Sequence, residues 1–308
     1  AQATTSGKET TATISDQAAK KLVEQAAAKD ADEVAVEAPK GNKPVIKVEL
    51  PAETINGIVE KTDAALTIKT SNGDVSFDNK ALEAISKGAT GDKITIVAEV
   101  VEQPSNAQKK IVGDDGVLLD LKVIHANGFV TAFGEGKVTI AIPIPDRLLN
   151  KTVKVVYLAD DGAYVTLSGS EVVKDGKQYY VFETGHFSSY ALVDGKTADR
   201  YFAKIRLGVK NTKINASTTA KKGSITVKWK KSAGFKVDYY QVFRSTKKNI
   251  GYGTKAFYTT KTGTQKSYKN TKQLKKGTRY YYKVRGVRVL DGQKVYTKWS
   301  NKAIRIAK

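Results

Sequence analysis

The two histidines of the chain are the side chains best suited to proton transfer. His186 lies two residues before Ser188 in the segment TGHFSSY, a spacing that a general base and a nucleophile could use. Positions i and i+2 of a strand do not define a catalytic triad, and no strand-turn-helix nucleophile elbow surrounds them. We therefore expect His186 to bond to backbone or hydroxyl groups at a strand end, and His125 to lie on the surface near a turn.

Two pairs of adjacent acids are the next residues that could do chemistry. Asp114-Asp115 and Asp160-Asp161 each precede a glycine. A glycosidase pair would need to face across a substrate, whereas clustered loop carboxylates could hold calcium. Adjacent acids before glycine are typical of turns, and the sequence has no D-x-D-x-D-G loop. We expect turn residues here, with bound calcium as the alternative and a glycosidase pair disfavoured.

The composition excludes several classes of site. The 308 residues contain no Cys, no Met and only two His, so disulfides, thiolate–zinc sites, thiol nucleophiles and iron–sulfur clusters are ruled out. No nucleotide-binding glycine motif is present, and no apolar run approaches the roughly 20 residues of a transmembrane helix. We therefore expect no enzymatic activity and no cofactor or metal. A Lys–Asn isopeptide crosslink could replace disulfides, although the sequence nominates no pair.

The charge of the chain is concentrated at one end. Residues 201–308 contain 29 Lys and Arg against two acids, Asp238 and Asp291, which gives a net charge of +27. Residues 1–200 contain 23 basic and 29 acidic residues, a net charge of −6, and the whole chain is +21. Such an asymmetry bears on partners rather than on fold. It predicts an anionic partner for the C-terminal part.

The basic part is also aromatic, with ten of the fifteen Tyr and both Trp. Successive residues of a strand point to opposite faces, so Tyr280, Tyr282 and Val284 should face a core together with Tyr240 and Val242. The opposite face should then carry cations interleaved with rings, a combination that suits anionic polymers. The predicted ligand-binding residues are Tyr239, Phe243, Arg279, Tyr281, Lys283 and Arg285.

Local patterns predict a mainly β chain with an α+β N-terminal part. Spacing of four predicts a helix over 15–29, Asn72-Gly73 predicts a hairpin, and alternation from residue 93 to 193 predicts sandwich strands. The missing initiator Met predicts a processed product or a fragment, and the Ala/Thr-rich start is typical of the mature end of a secreted protein. The predicted divisions are a disordered leader (1–13), an α+β subdomain (14–100), a β-sandwich subdomain (101–194), a linker (195–204) and a basic domain (205–308).

Residues 14–193 resemble β-rich modules of secreted and S-layer-anchored surface proteins of Gram-positive, Clostridia-type bacteria. The resemblance rests on KVTIAIPIP (137–145), VVYLADDGAY (155–164) and TGHFSSYALV (184–193). These motifs are structural. They imply an extracellular module that acts as a spacer or interaction domain.

Residues 205–308 resemble a fibronectin type III domain, an immunoglobulin-like β-sandwich. SITVKW (224–229), YYQVFR (239–244), LKKGTRYYYKV (274–284) and WSN (299–301) match its strands. Tyr280 follows Leu274 by six residues, the spacing of a tyrosine corner, and Lys276 stands where the turn usually has Pro.

Together these features predict a non-catalytic surface or secreted binding protein, an adhesin or an envelope-associated protein, whose basic domain binds an anionic polymer. The expected partners are a bacterial cell-wall polymer or a sulfated or sialylated host glycan. Nucleic acid is disfavoured, since no motif for reading it is present. Two alternatives stay open. The chain could bind a host protein such as immunoglobulin through an edge strand, or it could be the accessory part of a larger secreted hydrolase.

Overall fold

The computed structural model describes residues 2–158 and 164–308. The chain divides into two compact units, residues 1–199 and 200–308. Both units are built mostly from β-strands, so the prediction of a mainly β fold is confirmed.

The first unit contains fifteen described strands and four helices, which are listed here in chain order. They are β1 (Gln2–Ser6), β2 (Glu9–Thr13), α1 (Asp16–Lys29), β3 (Glu33–Glu37), β4 (Val45–Pro51), α2 (Ala52–Lys61), β5 (Ala65–Lys69), β6 (Asp74–Phe77), α3 (Asn79–Gly88), β7 (Lys93–Val100), α4 (Asn106–Val112), β8 (Val117–His125), β9 (Gly128–Val130), β10 (Val138–Pro143), β11 (Val153–Leu158), β12 (Tyr164–Leu167), β13 (Gly169–Lys174), β14 (Lys177–Thr184) and β15 (Ser189–Asp194).

These strands form two sheets that share one apolar core with α1, α2 and α3. One sheet has the order β1-β2-β4-β7-β8-β15-β11-β12, with β9 beside β8, and the other has the order β13-β14-β10-β6-β5-β3. The alternation of β4 explains its packing, because Ile46, Val48 and Leu50 are buried while the residues between them are partly exposed.

The predicted division at residue 100 is wrong, because strands from both sides of it pair with one another. β7 pairs antiparallel with β8 in one sheet, and β6 pairs with β10 in the other. A split there would cut both sheets and the shared core. Local alternation shows which residues form strands but does not show which strands become neighbours.

The predicted disordered leader is also wrong, since β1 and β2 form an antiparallel hairpin. β2 pairs in parallel with β4 and buries Thr10 and Ala12. The threonines of this segment are β-branched, and such side chains pack well on a pleated sheet. The prediction of disorder relied on the polar composition of the segment and did not consider its strand propensity.

The predicted linker at 195–204 lies inside a helix, α5 (Gly195–Asn211). Asp194 caps its start, because its carboxylate accepts hydrogen bonds from the Lys196 amide at 3.2 Å and the Thr197 hydroxyl at 3.3 Å. Phe202 and Val209 lie seven residues apart and are both buried. This helical spacing of apolar residues outweighs the polar appearance of the segment.

The second unit continues with eight strands within its described residues. They are β16 (Ile214–Lys221), β17 (Ser224–Lys231), β18 (Tyr239–Ser245), β19 (Tyr258–Thr259), β20 (Ser267–Asn270), β21 (Arg279–Leu290), β22 (Gln293–Tyr296) and β23 (Ala303–Ile306). One sheet has the order β16-β17-β20, and the other has β19-β18-β21-β22, with β23 beside β21.

The two sheets of this unit share a core that contains Trp229, Tyr240, Tyr280 and Tyr282. The hydroxyl of Tyr280 donates to the Gln273 carbonyl at 3.1 Å and accepts from the Lys275 amide at 2.9 Å. This ring therefore ties β21 to the turn before it, as the spacing from Leu274 predicts.

Candidate functional site

The candidate site lies on the outward-facing side of β18 and β21, which we call the outer face. The two strands pair antiparallel, with Gln241 opposite Arg285 and Phe243 opposite Lys283. The residues that alternate with these positions along the two strands, Tyr240, Val242, Tyr282 and Val284, are buried in the core. Strand alternation therefore places Lys283 and Arg285 on the outer face, as predicted.

Five side chains on this face form a continuous row of contacts, which we call the cation–aromatic ladder. The Lys283 ammonium lies 4.5 Å from the Tyr252 ring centre and 4.0 Å from that of Trp299. The Arg285 guanidinium lies 4.7 Å from the Trp299 ring centre and 3.8 Å from that of Tyr296. Rings and cations thus alternate in the order Tyr252, Lys283, Trp299, Arg285, Tyr296.

Phe243, predicted to be a ligand-binding ring, lies beneath this ladder. It is only 3% exposed and meets Trp299 edge-on, with ring centres 5.1 Å apart. Since Trp299 covers it, Phe243 supports the ladder from below and presents no surface for stacking on a ligand.

The other predicted residues extend the outer face beyond the ladder. Tyr239 is half-buried, and its phenol favours the charge of Arg285. Tyr281 is half-buried opposite Ile304, while Arg279 is exposed opposite Ile306. Ile304 and Ile306 are themselves 45% and 46% exposed. The face therefore combines cations, phenols and two open apolar side chains.

Burial lowers the pKa of Lys283, and the neighbouring charges of Arg285 and Lys302 lower it further. Burial also lowers the pKa of Arg285, against the opposing effect of the Tyr296 and Tyr239 phenols. Both cations are thus partly stripped of water. They also repel each other.

Neither cation is neutralised within the described residues. Among residues 2–158 and 164–308, no carboxylate oxygen forms an ion pair with Lys283 or Arg285. The Arg285 Nε donates to the Gln241 Oε1 at 2.8 Å, which orients the guanidinium. Its terminal nitrogens and the Lys283 ammonium have no hydrogen-bond partner in the same described part of the chain. The arrangement is therefore suited to receive an anion.

Sequence reasoning missed three members of the ladder: Trp299, Tyr296 and Tyr252. The motif WSN (299–301) indicates a strand but does not indicate that Trp299, which is 40% exposed, lies on the outer face. Tyr296 ends β22, and Tyr252 comes from the loop after β18. The one available signal was the aromatic richness of the segments on either side of β21.

The residues considered for catalysis have structural partners. The Ser188 hydroxyl donates to the Leu158 carbonyl at 3.2 Å, so its hydrogen-bond partner is a backbone group. The backbone carbonyl of His186 accepts from the Tyr190 hydroxyl, and its ring lies 4.6 Å from the Tyr157 ring. These contacts agree with the expectation of a strand-end residue.

His125 and Asp115 stabilise loops. The Nδ1 of His125 accepts from the Thr90 amide at 3.2 Å. Asp115 pairs with Lys151 at 2.6 Å, and the hydrogen bond from Lys151 lowers the pKa of Asp115. The second acidic pair, Asp160-Asp161, lies outside the described residues. Within the described ranges, no cluster of three or more His, Asp or Glu side chains could hold a metal ion.

Among the residues that the structure describes, none of the helices has the length and hydropathy needed to cross a membrane.

No protein-family model matches the chain, and no curated protein matches it. Among solved structures, the chain is similar to an Fn3-like protein from Clostridium thermocellum, with 27% identity over 31% of this chain and 88% of that one, at a TM-score of 0.24. It is also similar to a pectate lyase from Pectobacterium carotovorum, with 20% identity over 30% of this chain, at a TM-score of 0.25.

A third similarity is to a β-1,2-glucanase from Parabacteroides distasonis, with 14% identity over 62% of this chain and 32% of that one, at a TM-score of 0.25. The chain spans about a quarter of the length of the pectate lyase. At TM-scores this low, neither fold nor function is transferred from these proteins.

Proposed function

We propose that this chain is a non-catalytic, extracellular modular protein whose second unit is a fibronectin type III domain that binds an anionic polymer through the cation–aromatic ladder. The first unit is then the module that carries this domain at the cell surface. The proposal rests above all on two partly desolvated cations, Lys283 and Arg285, that are held on rings with no carboxylate partner within the described residues.

Ring contacts orient the two cations without neutralising them. A carboxylate partner would cancel each charge, whereas an aromatic face attracts a cation through its quadrupole and leaves the net charge unchanged. A sulfate or phosphate group could therefore bind the exposed nitrogen atoms of both side chains and relieve their mutual repulsion. The +27 charge of residues 201–308 would draw such a polymer toward the unit from a distance.

The test is binding of the full chain to purified wall polymers and sulfated glycans at roughly 50 mM and 200 mM salt. The double variant Lys283→Gln/Arg285→Gln should lose about tenfold or more in affinity at the lower salt concentration. The matched control is Lys221→Gln/Lys222→Gln, which removes the same charge from the exposed end of the β16–β17 hairpin in the same unit.

Equal losses in the two double variants would show diffuse attraction by net charge and would overturn the ladder as the site. Salt-independent capture of a host protein such as immunoglobulin, with no polymer bound, would favour the host-protein alternative. A catalytic domain encoded in the same reading frame would instead make the chain an accessory part of a hydrolase.

A further inference from the structure

We infer that the polymer bound by the outer face is a polyol phosphate, in which successive phosphates are joined through three carbons, and that it lies parallel to β21. This inference rests on the proposed function and narrows its ligand class. It follows from the spacing of the hydrogen-bond donors along β21 and from the cations that already cover the aromatic ring faces of the ladder.

Four outward-facing donors follow one another at every second residue of β21. They are the guanidinium of Arg279, the phenol of Tyr281, the ammonium of Lys283 and the guanidinium of Arg285. A strand rises about 3.3 Å per residue, so these positions repeat at about 6.6 Å. The Lys283 and Arg285 charges lie 4.0 and 4.7 Å from one ring centre, that of Trp299, which prevents them from spreading far apart.

A three-carbon phosphodiester has nearly the same repeat. A peptide residue contributes three backbone bonds and spans at most about 3.3–3.6 Å. Two phosphorus atoms joined through three carbons are six bonds apart, so on the same scale they span about 7 Å when extended. Inorganic polyphosphate places its phosphorus atoms only two bonds apart, which is too short for this row. Sulfates on neighbouring sugars are separated by the body of a pyranose ring.

The occupied ring faces favour a slender linker over a sugar or a base. Sugars and nucleobases bind aromatic side chains by stacking on an open ring face. On the ladder, cations already cover faces of Tyr252, Trp299 and Tyr296. An acyclic polyol can pass over Trp299, which is 40% exposed, without needing such a face. A single-stranded nucleic acid has a similar phosphate spacing but would find few places to stack its bases.

The four donors of β21 also predict how many phosphate groups of the polymer the site can bind. Two phosphates would lie at Arg285 and Lys283, a third beside the Tyr281 hydroxyl and a fourth at Arg279. Affinity should therefore rise steeply from two phosphates to four, and only slightly beyond four. Arg279 contributes only when the ligand is long enough to reach it.

The experiment titrates the full chain with synthetic glycerol phosphate oligomers of two, four and six phosphates. The comparison ligands are a heparin oligosaccharide and a single-stranded oligodeoxynucleotide of matched charge. We expect the four-phosphate oligomer to bind about tenfold more tightly than either comparison ligand at roughly 50 mM salt. Arg279→Gln should weaken binding of four phosphates severalfold and binding of two phosphates much less, whereas Lys221→Gln should alter neither.

Equal affinity for heparin would overturn the ligand class while leaving polyanion binding by the ladder intact. Equal affinity for the oligodeoxynucleotide would overturn the polyol polymer as the partner in favour of a nucleic acid. Loss of two-phosphate binding in Arg279→Gln would overturn the order of phosphates along β21. Failure of all the polyanions to bind would overturn the proposed function itself.

Discussion

The two units differ in what surrounds their cations. In the first unit, lysines lie against carboxylates, as in the pairs Lys47–Glu9, Lys122–Asp120 and Lys151–Asp115, each with an N–O distance of 2.6 Å. In the second unit, cations lie over rings, as in Arg244 over Phe257 at 4.0 Å, Lys283 over Trp299 at 4.0 Å and Arg285 over Tyr296 at 3.8 Å.

This difference shows that a contact can pack a cationic side chain without neutralising its charge. A carboxylate does both, whereas a ring packs the cation and leaves its charge for a partner. Arg288 illustrates the limit of ring packing. It is only 4% exposed, and it pairs with Asp238 at 2.6 Å because a deeply buried charge needs an opposite charge. The ladder cations are intermediate, being packed, partly desolvated and still charged.

The largest expected change in stability distinguishes two adjacent residues of β21, one on its buried face and one on its outer face. Tyr282→Ala should lower the free energy of unfolding of the second unit by about 3–5 kcal/mol, because it empties a fully buried site and removes the partner of the Asn270 amide. Lys283→Ala should change it by less than about 1 kcal/mol while weakening polyanion binding.

Urea denaturation followed by Trp fluorescence measures this contrast, since both Trp of the chain, Trp229 and Trp299, belong to the second unit. Similar losses of stability in the two variants would mean that Lys283 is a core residue and that the two faces do not differ.

The next effect should come from removing the centre of the ladder. Trp299→Ala should cost about 1–3 kcal/mol, because it uncovers Phe243 and removes the ring shared by Lys283 and Arg285. Trp299→Phe should recover part of this loss. Fluorescence of the remaining Trp229 reports unfolding, and a stability unchanged from wild type in Trp299→Ala would show that the ladder does not stabilise the unit.

A smaller effect should come from the turn before β21. Tyr280→Phe keeps the buried ring but removes the hydroxyl that bonds to Gln273 and Lys275, so it should cost about 1–2 kcal/mol. Hydrogen exchange should show the loss of protection at the Lys275 amide. Unaltered exchange there would contradict the role of the hydroxyl in holding the turn.

The smallest effect should arise at a partly exposed ion pair of the first unit, Lys47–Glu9. The hydrogen bond from Lys47 is the main cause that lowers the pKa of Glu9 from its usual value of 4.5. A lowered folded-state pKa stabilises the fold above pH 4.5, and this contribution is lost as the pH falls through the folded-state value. Because both side chains are partly exposed to solvent, the contribution should be less than about 1 kcal/mol.

An NMR titration of the Glu9 carboxyl tests this expectation directly. Lys47→Met should raise the pKa of Glu9 toward 4.5, whereas Lys40→Met, at an exposed position, should not. An unchanged pKa of Glu9 in Lys47→Met would show that Lys47 is not neutralised by Glu9, and would contradict the contrast between the cations of the two units.

Much of the local structure was predictable because it depends on neighbouring residues. The helix predicted over 15–29 is α1, which begins at Asp16 and is capped by Ser15, whose hydroxyl oxygen accepts a hydrogen bond from the Ala18 amide. The hairpin predicted at Asn72-Gly73 joins β5 to β6. Gly73 adopts a positive φ of 152° in this turn. The side-chain amide of Asn72 donates to the backbone carbonyls of Pro44 and Ala98, which belong to other segments.

Errors occurred where distant partners decide the structure. The Thr-rich start was predicted to be disordered, yet β4 provides a strand for β2 to pair with. The boundary predicted at residue 100 failed because β7 and β8 are neighbours in one sheet. Pairing partners depend on how the chain closes on itself, which local periodicity does not encode.

At the candidate site, two features could be predicted from the residues alone: the charge of the second unit and the side of β21 on which Lys283 and Arg285 lie. Both follow from composition and from the two-residue repeat of a strand. Two other features appear only in the folded unit: Trp299 covers Phe243, and Tyr252 and Tyr296 complete the ladder. These rings come from separate segments, and the packing of the folded unit alone brings them against the same two cations.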